Sequence, residues 1–213
     1  MAAPTIGVLA LQGAFSAHST SFREVGLKVR EIRRVADLEG LGGLMIPGGE
    51  STTLLNLMED EPWFDALRQL HDEGGVLAGT CAGAILLSRE VRPWQPSLGL
   101  LDAVIERNAF GRQVDSFEAA VDAPHLGGPV DGVFIRAPRF QALWPEVDVL
   151  GRVGDEPVLV RQGRVIAATF HPELTQGLAF HRYVAELARR TRGARSGSSA
   201  RPRPPAPKTV TQP

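Results

Sequence analysis

The chain has 213 residues, of which 43% are hydrophobic and 22% charged, and its formal net charge is −1. This composition is typical of a globular protein and excludes a coiled coil, a collagen-like chain and a disulfide-stapled miniprotein. The one cysteine, Cys81, cannot form an internal disulfide, and no apolar run approaches the ~18 residues that would span a membrane. The first residues lack the basic segment of a secretory signal. We therefore expect a cytoplasmic protein that binds no membrane.

The charge is unevenly distributed between the body of the chain and its C-terminal segment. Residues 189–213 contain seven Lys or Arg and no Asp or Glu, so the remainder has a net charge of about −8. An acidic body argues against nucleic-acid binding. From Thr191 onwards the chain is rich in Pro, Ser, Gly and Arg, and it has too few apolar residues to offset its ordering entropy. We therefore predict one folded domain over 1–190 and a disordered basic tail over 191–213.

Within the predicted domain, short apolar runs alternate with helical stretches. Strands are expected at residues 5–11, 27–32, 42–47 and 75–79, and helices at 15–26, after Ser51 as the cap, from Pro62 and after Cys81. The region 103–165 is rich in strands, and residues 177–190 form a closing helix. Alternation of helices with fully apolar strands predicts a three-layer α/β domain with a mostly parallel sheet.

The segment Gly79-Thr80-Cys81-Ala82-Gly83 separates an apolar strand from an apolar helix. A sharp strand-to-helix turn there would lift the cysteine off the sheet edge, as in a nucleophile elbow, and the glycines would allow close backbone approach. The helix N-terminus favours a thiolate, and the Ala82 N–H is placed to hold an oxyanion. By itself the short pattern is equally compatible with a small buried cysteine.

His171 ends an apolar run and is followed by Pro172 and Glu173. Because proline favours an extended residue before it, and extended residues two apart point to the same side, Glu173 can reach the imidazole. This is the base-and-orienter half of a catalytic triad. A lone histidine at a strand end is more often structural, but Cys81 in the same chain favours the catalytic interpretation. The order Cys, His, Glu also differs from that of α/β-hydrolases.

Two further polar stretches follow predicted strands. The turn Pro47-Gly48-Gly49-Glu50-Ser51 has N–H groups that could supply a second oxyanion donor or hold a carboxylate, and it lacks the pattern of a phosphate loop. Arg107 begins the stretch 107–113 and suits bidentate binding of a carboxylate, although alone it is more typical of a surface ion pair.

The remaining histidines have no partner pattern. His18 falls on the apolar face of the helix over 15–26, and it is expected, like His71, His125 and His181, to be structural or exposed. No residues have the spacing of metal ligands and no dinucleotide-binding fingerprint is present. We therefore expect neither a metal nor a cofactor.

The cysteine segment and the C-terminal His-Pro-Glu together resemble the class I, triad-type glutamine amidotransferases. Five stretches narrow the resemblance: LQGA at 11–14, PGGESTT at 47–53, RN and FGRQVDSFE within 107–118, FIRAP at 134–138 and TFHPELT at 169–175. In this order they are similar to the glutaminase subunits of pyridoxal 5′-phosphate synthases. The resemblance covers residues 5 to about 190, whereas the basic tail is an extension without a counterpart.

The resemblance implies a flavodoxin-like glutamine amidotransferase fold and hydrolysis of L-glutamine to L-glutamate and ammonia. It makes Cys81 the nucleophile, His171 the base and acid, and Glu173 the group that orients the histidine. It assigns glutamine binding to Gly49, Glu50, Ser51, Arg107, Ile135 and Arg136, and the oxyanion hole and its activation to Gly48, Ala82 and Gln12.

The resemblance also implies a partner. Ammonia would pass to a synthase subunit within a large hetero-oligomer, which makes pyridoxal 5′-phosphate, here a product, from ribose 5-phosphate and glyceraldehyde 3-phosphate. The alternatives are a Cys-dependent peptidase or deglycase-like enzyme of similar topology, the glutaminase subunit of another amidotransferase, and a regulatory subunit that only binds glutamine.

Overall fold

Strands and helices alternate along residues 4–107 and 116–195, the parts of the chain that the computed structural model describes. The strands are β1 (Thr5–Leu9), β2 (Lys28–Ile32), β3 (Gly43–Ile46), β4 (Val76–Thr80), β5 (Ser88–Arg92), β6 (Leu101–Glu106), β7 (Ser116–Val121), β8 (Val130–Ile135), β9 (Arg139–Leu143), β10 (Asp148–Val153), β11 (Glu156–Gln162) and β12 (Val165–Ala168). The α-helices are α1 (Phe15–Glu24), α2 (Ser51–Leu57), α3 (Trp63–Asp72), α4 (Ala82–Leu87) and α5 (Ala179–Arg195), and short 3-10 helices span Val35–Leu38, Pro124–Leu126 and Pro172–Leu174. Within these ranges no helix is both long enough and apolar enough to cross a membrane.

The central sheet has seven strands in the order β10-β11-β12-β4-β3-β1-β2. Neighbouring strands are parallel from β12 to β2, whereas the β10–β11 and β11–β12 pairs are antiparallel. The parallel part has the 2-1-3-4-5 order of doubly wound, flavodoxin-like sheets. The predicted mostly parallel α/β sheet is thus confirmed.

Both faces of the central sheet are buried. In β4, Leu77 packs with α2, α3, α4 and the small sheet β5-β6-β9, whereas Val76 and Ala78 pack on the other side with α1, α5 and the β7–β8 pair. Successive strand residues point to opposite faces, so a strand that is covered on both faces must be apolar throughout. This explains the continuous apolar runs and gives the three predicted layers.

Two features of the helices differ from the predictions. Glu50, and not Ser51, is the N-cap of α2, because its carboxylate accepts a 2.7 Å hydrogen bond from the Thr53 N–H. A carboxylate in this position is also stabilised by the positive end of the helix. At the C-terminus, α5 continues to Arg195, beyond the predicted range 177–190. The predicted tail residues 196–213, and residues 108–115 of the predicted Arg-Asn segment, lie outside the described parts of the chain.

The carboxyl ends of β1, β3, β4 and β12 meet at one edge of the sheet, because these strands are parallel neighbours. Gln12, Gly48, Cys81 and His171 follow these four strands. The β7–β8 pair is tied to the same edge, since the His171 N–H donates to the Val133 carbonyl at 2.8 Å. The topology therefore brings together residues that are far apart in sequence.

Candidate active site

Cys81 lies in a strained turn between β4 and α4. Its backbone has φ 46° and ψ −103°, a positive-φ conformation that residues other than glycine rarely adopt. The Cys81 N–H donates to the Ala168 carbonyl at 2.8 Å, and the Cys81 carbonyl accepts from the Ile85 N–H at 3.1 Å. The turn is held from both sides and has the geometry predicted for a nucleophile elbow.

The two glycines that flank the elbow have no room for side chains. A Cβ atom on Gly79 would lie 2.5 Å from the carbonyl carbon of Gly83, and one on Gly83 would lie 2.1 Å from the carbonyl oxygen of Ile46. Helix α4 therefore packs directly on the backbone of β3 and β4. This close approach is the one that the glycine spacing predicted.

His171 and Glu173 form a buried pair next to Cys81. The His171 Nδ1 lies 2.8 Å from Glu173 Oε1. Because a carboxylate only accepts, Nδ1 is the donor, and Nε2 is left for the hydrogen bond with Cys81. Burial acts to lower the pKa of His171, but the hydrogen bonds and charges of Cys81 and Glu173 outweigh burial and raise this pKa to about 10. The imidazole is therefore protonated at neutral pH.

The second carboxylate oxygen of Glu173 faces a histidine for which the sequence showed no partner. His18 Nε2 lies 3.2 Å from Glu173 Oε2, and His18 Nδ1 lies 2.9 Å from His181 Nε2. Burial acts to raise the pKa of Glu173, but the interactions with His171 and His18 hold it well below its usual range. Both His18 and His181 are fully buried, so they are not exposed residues but extend the polar core of the site.

Gly48 lies against Cys81 and His171. A Cβ atom at this position would be 2.3 Å from His171 Cε1 and 3.2 Å from Cys81 Cβ, so only glycine fits. Its N–H donates to Thr80 Oγ1 at 3.0 Å, which fixes the start of the glycine turn to the end of β4. Because this N–H is engaged, the next backbone donor of the turn is the N–H of the peptide between Gly48 and Gly49.

The side chain of Gln12 is packed against Gly49 and the peptide that follows it, between Gly49 and Glu50. Gln12 Oε1 accepts a 3.2 Å hydrogen bond from the Glu50 N–H, and a Cβ on Gly49 (φ 147°) would lie 2.5 Å from the same oxygen. On the other side, a Cβ on Gly13 would lie 1.8 Å from the Gly48 carbonyl oxygen. The turn after β1 and the turn after β3 thus form one contact, as their predicted positions on a shared edge required.

A cavity of about 360 Å³ opens beside Cys81 and His171. Its wall includes Gly48 and all the residues predicted to bind glutamine. These residues are Gly49, Glu50, Ser51, Arg107, Ile135 and Arg136. The predicted residues Ala82 and Gln12 lie behind this wall, Ala82 fully buried in the first turn of α4. A larger cavity of about 730 Å³, between the 3-10 helix Val35–Leu38 and α3, contains none of the predicted site residues.

Gln95 is a site residue that the sequence analysis missed. Its Oε1 accepts hydrogen bonds from the Ser51 hydroxyl, at 2.9 Å, and from the guanidinium of Arg107. Gln95 is only 6% exposed and does not itself line the cavity. It therefore fixes two wall residues that come from different elements. Arg136, on the same wall, has a φ of 42°, a second strained non-glycine residue at this site.

The fold and the site together define a glutamine amidotransferase. The chain belongs to the SNO glutamine amidotransferase family, whose model matches residues 8–189.

Two relatives and one solved structure show which members of this family the chain resembles. The chain is 54% identical over 186 residues to the pyridoxal 5′-phosphate synthase subunit PdxT of Thermus thermophilus, covering 86% of this chain and 97% of the relative. It is 51% identical over 190 residues to the subunit of the same name from Deinococcus radiodurans, with the same coverage of the two chains. A crystal structure of a glutamine amidotransferase matches with a TM-score of 0.81 and 52% identity, over 86% of this chain and 98% of that one.

Proposed function

We propose that this chain hydrolyses L-glutamine to L-glutamate and ammonia as the glutaminase subunit of a pyridoxal 5′-phosphate synthase. The observation that carries the proposal is the meeting of Cys81 with His171, which Glu173 holds from behind, at a cavity whose wall contains every residue predicted to bind glutamine. Membership of the family and the names of the relatives support it.

The wall of the cavity has a negative and a positive side chain, as binding of the α-ammonium and α-carboxylate groups of a free amino acid requires. Burial acts to raise the pKa of Glu50, but hydrogen bonds from Thr52 and Thr53 lower it to about 2, so the carboxylate is ionised and suits the α-ammonium group of glutamine. The guanidinium of Arg107, held by Gln95, suits the α-carboxylate. The carboxamide of the substrate then extends towards Cys81.

In the first half of the reaction the Cys81 thiolate attacks the carboxamide carbon. The electron pair of the C=O bond moves to oxygen, and this oxyanion accepts hydrogen bonds from the Ala82 N–H and the glycine turn. His171 gives its Nε2 proton to the amide nitrogen as the C–N bond breaks. Ammonia leaves, and a glutamyl thioester remains on Cys81.

In the second half one water molecule is consumed. His171, now neutral, takes a proton from the water as its oxygen attacks the thioester carbon, and the C–S bond breaks. The new γ-carboxyl group loses its proton to solvent, glutamate leaves, and the thiolate and the protonated imidazole are restored. Throughout, Glu173 accepts the hydrogen bond from Nδ1 and so keeps Nε2 directed at the reacting atoms.

The proposed partner is the synthase subunit, which would use the ammonia with ribose 5-phosphate and glyceraldehyde 3-phosphate in a cytoplasmic hetero-oligomer. The contact of Gln12 with Gly49 and Glu50 supports control by this partner. A subunit docked at this edge could move Gln12 and turn the Gly48–Gly49 peptide so that an N–H points at the oxyanion. Glycine allows such a rotation at little steric cost.

The test is ammonia release from glutamine by the purified chain, alone and with a synthase subunit. We expect a slow reaction alone, strong stimulation in the mixture and one glutamate per ammonia. Asparagine as substrate and the Cys81→Ala variant serve as controls, and both should give no ammonia. Cleavage of peptides without ammonia release in the mixture would instead favour the peptidase-like alternative and refute the proposal.

A further inference from the structure

A chain of buried polar side chains extends from the triad into the layer formed by α1 and α5. His18, on α1, lies 3.2 Å from Glu173 Oε2 and 3.3 Å from Thr80 Oγ1 through the same nitrogen, Nε2. Its other nitrogen lies 2.9 Å from His181 Nε2, on α5. None of these groups lines the cavity, so none of them can contact the substrate directly.

The positions of the protons on these buried side chains follow from which of their neighbours can only accept a hydrogen bond. Glu173 is ionised and only accepts, so His18 Nε2 carries a hydrogen, which it donates to Thr80 Oγ1 at 3.3 Å while Nε2 lies 3.2 Å from Glu173 Oε2. Among the described residues no donor is aligned for a hydrogen bond to Glu173 Oε2, and the 3.2 Å contact with His18 Nε2 is an electrostatic one. Thr80 Oγ1 also accepts the Gly48 N–H at 3.0 Å. One imidazole nitrogen therefore touches both the triad carboxylate and the anchor of the glycine turn.

If His18 had a purely structural role, that role would be to join α1 to α5. The contact of His18 with His181 alone would be enough for this. That role requires Nδ1 but not Nε2. The Nε2 contacts are different in kind, because they restrain the free oxygen of Glu173 and, through Thr80, the start of the turn that packs on His171 and Cys81. A carboxylate whose second oxygen is unrestrained can rotate and release the Nδ1 hydrogen bond of His171.

We propose that His18 is a positioning residue for the reaction, which through Nε2 holds Glu173 and the Thr80 anchor of the glycine turn in register with Cys81. The proposal rests on the proposed glutaminase function. It places the first helix, which directly follows the Gln12 turn, in direct contact with the carboxylate that orients the base.

The test separates the two nitrogens of His18. The amide nitrogen of glutamine can occupy the place of Nε2, and that of asparagine the place of Nδ1. With a synthase subunit present, we expect His18→Asn to lower kcat about tenfold with KM for glutamine within about twofold, and His18→Gln to restore most of the loss. Equal kcat values for the two folded variants would overturn the proposal, because a structural role does not distinguish the nitrogens.

Phe22→Leu is the matched control, because Phe22 is buried one turn further along α1 and its ring contacts that of His181. It loosens the same helix without touching the triad, so kcat should stay near wild type. A loss equal to that of His18→Asn would assign the effect to the helix. In a Glu173→Gln background, His18→Asn should cost nothing more, and an undiminished cost would show that His18 does not act through Glu173.

Two further measurements keep the test decisive. If His18→Asn does not fold, Thr80→Val, which is isosteric, should lower kcat and Thr80→Ser should restore it, and unchanged kcat in Thr80→Val refutes the link. If the wild-type mixture releases no ammonia, the proposed function fails, and iodoacetamide alkylation of Cys81 replaces turnover. Alkylation should then be slower in His18→Asn than in His18→Gln, and equal rates refute the positioning role independently.

Discussion

The two sides of the cavity differ in how firmly their groups are held. On one side Cys81, His171 and Glu173 are buried, and each makes more than one directed contact. On the other side Gly49 and Glu50 are exposed, and although the Glu50 carboxylate is held as the cap of α2, the Glu50 N–H is held by one 3.2 Å hydrogen bond to Gln12, whose amide nitrogen has no partner among the described residues. The three triad residues are thus buried and held by several contacts each, whereas the backbone of the glycine turn at Gly49 is exposed and has fewer contacts.

This difference has a chemical consequence. Hydrolysis of glutamine without an acceptor wastes the substrate, so a donor subunit benefits when its oxyanion hole is completed only in the complex. A firmly held triad beside an exposed glycine turn is compatible with the control by the partner that we propose. Substitutions on the firmly held side, on the exposed side and at the supports of each can test this comparison.

The largest effect is expected for Cys81→Ser. A serine hydroxyl is almost fully protonated where a thiolate was available, so ammonia release should fall by about a thousandfold or more. Glutamine should still raise the melting temperature of the variant, because the wall residues are unchanged. Ammonia release at the wild-type rate would remove Cys81 from the mechanism, and loss of folding would show that the strained elbow requires the sulfur.

Gln12→Ala should remove most of the stimulation by the synthase subunit, roughly 10²–10³ in rate, because one oxyanion donor would no longer be directed. Alkylation of Cys81 should be unaffected, since Gln12 does not touch the triad. Ser16→Ala, exposed in the first turn of α1, is the matched control. Full stimulation of Gln12→Ala would mean that the glycine turn is already competent and would abolish the contrast between the two sides.

Local patterns explain why the triad could be predicted from the sequence. Cys81 lies between two glycines whose spacing dictates a tight strand-to-helix turn, and His171 and Glu173 are two residues apart in an extended segment. Each of these geometries is encoded within five residues. Their convergence follows from parallel strands that end at one edge, which apolar periodicity also predicts.

The supporting residues could not be found in the same way, because their partners are distant in sequence. His18 and His181 are 163 positions apart, and Ser51 and Gln95 are 44 apart. One signal was present: His18 falls on the apolar face of its helix, and a buried imidazole there requires a polar partner. The capping of α2 by Glu50 was missed because serine is a preferred N-cap residue and glutamate is not, whereas the Ser51 hydroxyl here donates to Gln95 instead.

Gln95→Ala tests the support of the substrate wall. Without the amide, Arg107 and Ser51 lose their common acceptor, so KM for glutamine should rise about tenfold while kcat stays within about twofold. Trp94→Ala is the control, because Trp94 is adjacent in sequence and 82% exposed. A fall in kcat without a change in KM would show that this wall acts on the reacting atoms and not on substrate binding.

The smallest effect concerns the stability of the firmly held side. Burial lowers the pKa of His181 to about 3, and the neighbouring His18 adds to this, whereas Glu173 acts in the opposite direction. The unfolded chain, with an ordinary histidine pKa near 6.5, then binds more protons than the folded one between these two values. The stabilising contribution is therefore complete above pH 6.5 and is lost as the pH falls, by up to about 1.4 kcal/mol per pH unit for one proton.

The measurement compares wild type with His181→Gln, whose amide can keep the hydrogen bond to His18 but does not titrate. Denaturant unfolding is measured at pH 6.5 and pH 5. Glu173 and the other histidines are present in both proteins, so the difference between the two slopes reports on His181. We expect the free energy of unfolding to fall more steeply with acid in wild type than in the variant. Equal slopes would show that His181 accepts a proton in the folded state. The polar core behind the triad would then be accessible to protons from solvent.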